Sequence, residues 1–160
     1  GLRGGHSGLD IVCNRGNAIR LLTYALEALR NRGHQWQLVE MTGGSKRNAL
    51  AREARAIVRM PLEHATQLPD VMGMIAEELT RLHADSETEV VLVADQCSDE
   101  RAPLTEEVER SLLRYLKLVP HGVESMSQAV EGLVRAVAGV IVIPAKQSDA
   151  KIGHIHLGAL

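Results

Sequence analysis

A histidine flanked by glycines lies near the start of the chain, in the segment Gly4–Gly8, which reads GGHSG. Glycine lacks a Cβ, so the backbone here is pliable and a partner can approach it closely. An imidazole in this place can donate or accept a hydrogen bond near neutral pH. From the spacing alone, a capping or structural role at a strand end is favoured for His6. Ser7 beside it does not complete a nucleophilic triad, because neighbouring residues of an extended segment point apart.

The remaining histidines offer little basis for a metal site. Only His154 and His156 form a close pair, whose i,i+2 spacing would place both rings on one face of a strand. A metal needs a further ligand there, so an exposed pair is the favoured interpretation. His83 and Asp85 form the one His-x-Asp triplet, at the polar end of a predicted helix, where a solvated terminus is simpler. We therefore predict no metal site in the chain, and metal binding at the pair His154 and His156 stays open.

Two further segments look like functional motifs but favour structural interpretations. Gly43–Lys46 (GGSK) resembles half of a phosphate-binding loop, yet it lacks the G-x-x-x-x-G-K spacing and predicts a turn. The acidic segment Asp95–Glu100 is typical of a solvated loop. From its residues alone, the chain contains no complete active site.

Composition limits the partners of the chain. Hydrophobic residues make up 45% and charged residues 24% of the 160 residues, as in an ordinary globular domain. A net charge of −2 without a basic patch, together with very few aromatic residues, argues against a nucleic-acid partner. No apolar run approaches the length of a membrane span, so no membrane partner is expected. Two cysteines, Cys13 and Cys97, do not make a disulfide framework, which favours a cytoplasmic location.

The elements that position these residues follow from hydrophobic periodicity. Apolar residues at three- and four-residue steps predict a helix over 17–32, with Gly33 as its C-cap. A strand over 35–41, a turn at 43–45 and an alternating strand over 52–60 indicate an antiparallel pair.

The second half of the chain contains the strongest helical period, over residues 68–82. A buried strand over 90–93 follows, and Thr105 is the predicted N-cap of a third helix. The helix runs through the apolar residues Val108, Leu112, Tyr115 and Leu116, and Pro120 limits it. Further strands are expected at 133–134, 140–143 and 152–157.

The order α-β-β-α-β-α-β-β, with short turns between consecutive strands, predicts an α+β fold. We expect an antiparallel β-sheet with helices packed on one face, which is a two-layer sandwich. Residues 1–160 are expected to form a single domain. Because the chain begins at Gly1 rather than a methionine and runs straight into GGHSG, we also expect it to be excised from a larger protein.

Four blocks follow one another in order: GLRGGHSGLDI, RGNAIRLL, GGSKRNALAREA and HGVESMSQAVEGLV. Together, from Leu2 to about Val134, they closely resemble the aminoacyl-histidine dipeptidases (Xaa-His dipeptidases), a carnosinase-like branch of the two-zinc metallopeptidases. In that family these blocks belong to a ferredoxin-like lid or dimerisation domain, inserted into a separate catalytic domain that holds both zinc ions and their ligands. The resemblance implies that this chain is the lid domain alone, without zinc and without activity of its own.

The resemblance also implies roles for two residues. His6 matches the family histidine that reaches the active site, often of the other subunit, and hydrogen-bonds the substrate carbonyl as the oxyanion develops. Asn17 is similar to a family asparagine near the same cross-subunit contact, which implies substrate binding, and a helix-capping role is an equal alternative. The implied partners are the catalytic domain, a second subunit in a homodimer and a dipeptide substrate.

The chain departs from the family pattern at two places. Ala51 stands where proline is usual, and Arg47 and Asn48 are interpreted mainly as structure leading into a strand. The segment 135–139 (RAVAG) replaces a Ser/Asn-rich run. Two alternatives remain: a free-standing ligand-binding or regulatory α+β domain, and a structural dimerisation module in which His6 has no chemical role.

Overall fold

Helices and strands occupy most of the chain, and the structure, a computed structural model, describes residues 1–87, 89–140 and 151–159. The helices are α1 (Ala18–Asn31), α2 (Leu62–Ala65), α3 (Leu68–Leu82) and α4 (Glu106–Leu118). A short 3-10 helix spans Ile11–Cys13. The strands are β1 (Gln37–Gly43), β2 (Ala54–Arg59), β3 (Leu92–Glu100), β4 (Gly122–Met126), β5 (Val134–Ala138) and β6 (Lys151–Ala159).

An antiparallel sheet with the strand order β1-β2-β6-β3 forms one layer of the fold. β1 pairs with β2, and β6 lies between β2 and β3, antiparallel to both. Alternate residues of β2, namely Ala54, Ala56 and Val58, belong to one core together with apolar residues of α1 and α3. These helices therefore cover one face of the sheet, and the predicted α+β class is confirmed. β4 and β5 form a separate antiparallel pair.

α1 forms because its apolar residues fall on one stripe and because both of its ends are capped. The buried stripe includes Ile19, Leu22, Leu26 and Leu29. At the start, Oδ1 of Asn17 accepts a hydrogen bond from the N–H of Ile19 at 3.0 Å. At the end, Gly33 has a φ of 89°, a left-handed conformation that suits glycine after a helix. The helix predicted over 17–32 is thus confirmed.

β3 is longer than the sequence indicated. The segment Asp95–Glu100, predicted to be a solvated loop, continues the strand and pairs with β6, from Asp95 opposite His156 to Glu100 opposite Lys151. β3 is the outer strand of the sheet, where polar side chains can reach solvent without loss of backbone pairing. The prediction of a loop was wrong for that reason.

The last third of the chain differs from the expectation at one further place. Gly122–Met126 forms a strand that periodicity did not indicate, and it pairs with β5, which contains Val134 of the expected strand at 133–134. The strand expected over 140–143 lies outside the described residues, except for Val140. The strand expected over 152–157 is confirmed as β6.

α4 begins after Thr105 as predicted, and it buries only part of the apolar series that the sequence indicated. Oγ1 of Thr105 accepts a hydrogen bond from the N–H of Val108 at 3.4 Å. Of that series, Leu116 is buried and Leu112 packs against the core, whereas Val108 and Tyr115 are 51% and 60% exposed. The buried residues are Glu109, Leu113 and Leu116.

Glu109 is turned inward because its carboxylate has partners on two neighbouring elements. Oε2 accepts a hydrogen bond from the N–H of Leu38 on β1, and Oε1 accepts one from Nη2 of Arg30 on α1, both at 2.6 Å. The N–H of Leu104 donates to the carbonyl of Leu38 at 2.7 Å. A buried carboxylate is tolerated only with such partners. Together these bonds close the outer edge of β1 at Leu38.

We expect Glu109→Ala to lower the free energy of unfolding by about 2–3 kcal/mol, because the N–H of Leu38 would be buried without its acceptor. Urea unfolding followed by the fluorescence of Trp36, which lies against Arg30, measures the change. Glu107→Ala removes the same charge from the exposed surface of the same helix and should cost less than about 1 kcal/mol. Equal losses in the two variants would contradict this role of Glu109.

Candidate functional site

The loop that carries His6, residues 3–16, is held against the connection between β1 and β2. The N–H of Leu50 donates to the carbonyl of Gly5 at 2.8 Å, and the N–H of Ser7 donates to the carbonyl of Asn48 at 2.9 Å. His6 and Ala49 form an isolated antiparallel bridge between these two bonds. The block GGSKRNALAREA therefore supports this segment, which we call the His6 loop.

The two glycines before His6 are required by the geometry of the loop. Gly4 and Gly5 have φ values of 61° and 145°, which L-residues rarely adopt. A Cβ on Gly4 would overlap the side chain of Arg52, and a Cβ on Gly5 would lie 2.6 Å from atoms of both Arg15 and Asp10. The sequence suggested pliable backbone here. The structure gives these glycines a different role, which is close packing at positive φ.

The ring of His6 has a defined donor side and acceptor side. Nδ1 accepts hydrogen bonds from the N–H groups of Gly8 at 3.1 Å and Leu9 at 3.2 Å. A nitrogen that accepts two N–H donors carries no proton, so the neutral ring is protonated at Nε2. Nε2 has no hydrogen-bond partner among the described residues, and the side chain is exposed. His6 therefore presents an outward-facing N–H donor.

Asp10 and Arg15 brace the His6 loop from within. The N–H of His6 donates to Oδ2 of Asp10 at 2.7 Å, and the N–H of Asp10 donates back to the carbonyl of His6 at 2.9 Å. Arg15 donates from Nη1 to the carbonyl of Gly4 at 2.6 Å and lies 3.4 Å from Oδ1 of Asp10. These bonds fix the backbone on both sides of the imidazole.

Asn17 is buried at the start of α1 and acts there as the helix cap. Its Nδ2 donates to the carbonyl of Val140 at 2.7 Å and lies 3.4 Å from Nδ1 of His121. The block GGSKRNALAREA, which supports the His6 loop, also holds the start of α1. The N–H of Ala18, the residue after Asn17, donates to the carbonyl of Ala51 in this block at 2.9 Å. The structure thus shows the capping role, and the substrate-binding role of Asn17 stays a prediction.

His121, which begins the fourth sequence block, lies in the same region as Asn17. Burial, together with the nearby charge of Arg20, lowers the pKa of His121, and a hydrogen bond with the backbone of Arg15 opposes that shift. The ring is therefore neutral at pH 7, and it has the polar side chain of Asn17 as a neighbour. Sequence reasoning did not single out His121.

The other motifs occupy the positions that the sequence indicated, without adding chemistry. His83 ends α3 as its C-cap residue, and Gly44, with a φ of 71°, turns the chain after β1. In the backbone register of β6, His154 lies opposite Cys97 and His156 opposite Asp95. The side chains of 151–159 lie outside the described part of the structure, so metal binding by His154 and His156 is not tested here. Residues 1–87 and 89–140 contain no group of three or more His, Cys, Asp or Glu side chains that could hold a metal.

A buried carboxylate at the base of the His6 loop escaped the sequence analysis. Glu87 is 3% exposed and accepts hydrogen bonds from the N–H of Arg3 at 3.0 Å and the N–H of Gly16 at 2.8 Å. A single acid between a helix and a strand carries no periodic signal, and acids in such places are usually solvated. Only the tertiary structure places Glu87 beside the loop.

No helix in the described part of the chain has the length and apolar character needed to cross a membrane.

Three comparisons with known proteins agree with one another. The family model described as "Peptidase dimerisation domain" matches residues 1–87, which include the whole His6 loop. The cytosol non-specific dipeptidase of Escherichia coli (strain K12) is 30% identical over 156 residues, which cover 95% of this chain and 31% of that protein. The crystal structure of the aminoacylhistidine dipeptidase from Vibrio alginolyticus superposes with a TM-score of 0.75 at 33% identity, covering 99% of this chain and 32% of that one. The chain spans about a third of the length of these relatives.

Proposed function

The chain belongs to the peptidase dimerisation domain family, and from this premise we propose that it is the lid and dimerisation domain of a zinc-dependent aminoacyl-histidine dipeptidase. In this proposal residues 1–160 form a single domain of a longer protein, the parent peptidase, whose catalytic domain lies outside this chain. The relatives named as dipeptidases support the peptidase assignment. The family description supports a homodimer.

The observation that carries the chemical part of the proposal is the orientation of His6. Its Nδ1 is occupied by the N–H groups of Gly8 and Leu9, so Nε2–H is available as a donor on the exposed side of the loop. We propose that this N–H hydrogen-bonds the carbonyl oxygen of the scissile peptide bond, in its own or the partner subunit. A fixed donor aimed at that oxygen stabilises negative charge as it develops, without reorganisation during the reaction.

In this proposal the hydrolytic centre lies in the catalytic domain of the parent peptidase. The proposal assigns the zinc ligands to that domain as well, and it gives this chain no step at the metal. The contribution proposed for this chain is to orient the substrate carbonyl and to stabilise the oxyanion through His6. For Asn17 we propose two roles. Its buried amide caps α1 and bonds the carbonyl of Val140. The family resemblance implies that it also contributes to substrate binding.

The proposed substrates are short peptides with a C-terminal histidine, and the proposed location is the cytoplasm. One relative is named an aminoacylhistidine dipeptidase and the other a cytosol dipeptidase. Both names describe those proteins, and they support the same assignment here.

The test compares the parent peptidase with the 160-residue chain. We expect the parent peptidase to bind zinc and hydrolyse β-alanyl-histidine, and to lose turnover when a chelator removes the metal. The isolated chain should bind no stoichiometric zinc and show no turnover, because the proposal assigns the zinc ligands to the catalytic domain. Zinc titration by calorimetry and a histidine-release assay measure both.

Two results would contradict the proposal. Turnover with stoichiometric zinc by the isolated chain would show a complete enzyme rather than a lid domain. Absence of dipeptide hydrolysis by the zinc-loaded parent peptidase would instead favour the free-standing binding module.

A further inference from the structure

The two ends of the His6 loop are joined by one side chain. Arg3 and Gly16 are the first and last residues of the loop, and each donates its backbone N–H to a different oxygen of Glu87. The donor distances are 3.0 Å to Oε2 and 2.8 Å to Oε1. A carboxylate is suited to this task because its two oxygens can each accept from a separate donor.

Glu87 lies shortly after α3 and is bonded to the end of that helix. The N–H of Glu87 donates to the carbonyl of His83 at 2.8 Å, directly after α3, whose apolar stripe lies in the core. Around the carboxylate the packing is close, since a Cβ on Gly16 would lie 3.3 Å from Cγ of Glu87 and 3.2 Å from the side chain of Leu2. Leu2 is 1% exposed. The base of the loop is thus attached to α3, whereas its tip carries the exposed imidazole.

We propose that Glu87 is a positioning residue for His6, which closes the base of the His6 loop and thereby fixes where Nε2–H points. The proposal rests on the proposed function of His6. Three sets of bonds then define the loop: Glu87 at its base, Asp10 and Arg15 within it, and the strand-like bridge at Ala49. Without Glu87, the N–H groups of Arg3 and Gly16 would lose the acceptor that they share, the base of the loop would loosen, and the donor would sample several directions. Misplacement of a catalytic group by about 1 Å can cost up to a hundredfold in rate.

The first experiment reads the loop directly in the 160-residue chain, by ¹⁵N–¹H NMR of the His6 imidazole. The wild-type ring should show the widely separated ¹⁵N shifts of a single Nε2–H tautomer. In Glu87→Ala these shifts should converge, and amide exchange at Arg3 and Gly16 should accelerate about tenfold or more. Glu87→Gln keeps the size of the side chain and one acceptor, and should be intermediate, which covers the case in which the alanine variant does not fold.

Glu89→Gln is the matched control, because Glu89 is exposed and lies two residues away in the chain. It should leave the His6 shifts and the exchange rates unchanged. Wild-type shifts and exchange rates in both Glu87 variants would overturn the proposal, whatever their activity.

The second experiment is a double-mutant cycle in the parent peptidase. We expect Glu87→Gln to lower kcat about tenfold with KM changed less than about twofold, because the donor acts mainly in the transition state. In a His6→Ala background the same substitution should change kcat by less than about twofold, since Glu87 acts through His6. A tenfold loss in both backgrounds would overturn the proposal, because a general structural effect does not depend on His6. If His6→Ala alone left kcat unchanged, the proposed function would fail, and the NMR result would still decide whether Glu87 orders the loop.

Discussion

His6→Ala in the parent peptidase is expected to lower kcat for β-alanyl-histidine by about a hundredfold or more, because removal of one oxyanion donor typically has an effect of this size. KM should change little, since the hydrogen bond strengthens only as negative charge develops on the carbonyl oxygen. Steady-state histidine release measures both constants. The fold should survive, because the exposed ring supports only the N–H groups of Gly8 and Leu9.

Two further variants show whether the effect belongs to the N–H of the ring. His6→Gln retains an amide donor of similar reach and should recover part of the lost kcat. His83→Ala, at the end of α3, removes another imidazole and should leave kcat within about twofold of wild type. Unchanged turnover in His6→Ala would refute the donor role and would favour the structural dimerisation module.

The family and much of the fold could be predicted from the sequence, because both depend on features that are local in the chain. The period of α1, its cap at Asn17 and the glycine after it, Gly33, are readable within one helix length. The order of the four blocks likewise needs no tertiary information. The matching family model and the relative from Vibrio alginolyticus confirm the resemblance that these blocks carried.

The residues that escaped prediction are those whose role depends on contacts between distant segments. Glu87 and Glu109 look like solvated acids in the sequence, yet each is buried and accepts backbone N–H groups 71 or more residues away. Hydrophobic periodicity assigns acids to the outside of a helix, so it gives no sign that Glu109 on α4 is buried. The polar residues along β3 indicate a loop in the sequence, because the outer position of this strand in the sheet depends on its pairing with the distant β6.

The glycines of GGHSG show the same division between local and distant information. The sequence shows that these glycines flank His6, but it does not show that Gly4 and Gly5 adopt positive φ in a crowded place. A side chain at Gly5 would have no space because Asp10 and Arg15 converge on it, and a side chain at Gly4 would meet Arg52. Asp10 belongs to the first block and Arg15 begins the second, but nothing in their spacing indicates that they pack against the backbone before His6.

Gly5→Ala is therefore expected to have the second largest effect. A φ of 145° costs an alanine about 1–3 kcal/mol, and its Cβ would lie 2.6 Å from Nη1 of Arg15 and 2.6 Å from Cβ of Asp10. Asp10 accepts from the N–H of His6, and Arg15 holds Asp10 and the carbonyl of Gly4, so relief of the clash displaces the imidazole. We expect kcat in the parent peptidase to fall about tenfold to a hundredfold, measured in the same assay. Gly73→Ala on α3 meets no atom within 4 Å and should stabilise the fold by about 0.5–1 kcal/mol without loss of activity.

Gly4→Ala separates the strain of the backbone from the displacement of His6. Its φ of 61° is also left-handed, but its Cβ would meet the flexible side chain of Arg52 rather than a group bonded to His6. Arg52 can move at the expense of its hydrogen bond to the carbonyl of Leu2, 2.8 Å long. Gly4→Ala should therefore lower the melting temperature as Gly5→Ala does, while kcat falls less. Equal losses of kcat in the two variants would mean that general strain, rather than the position of the imidazole, limits activity.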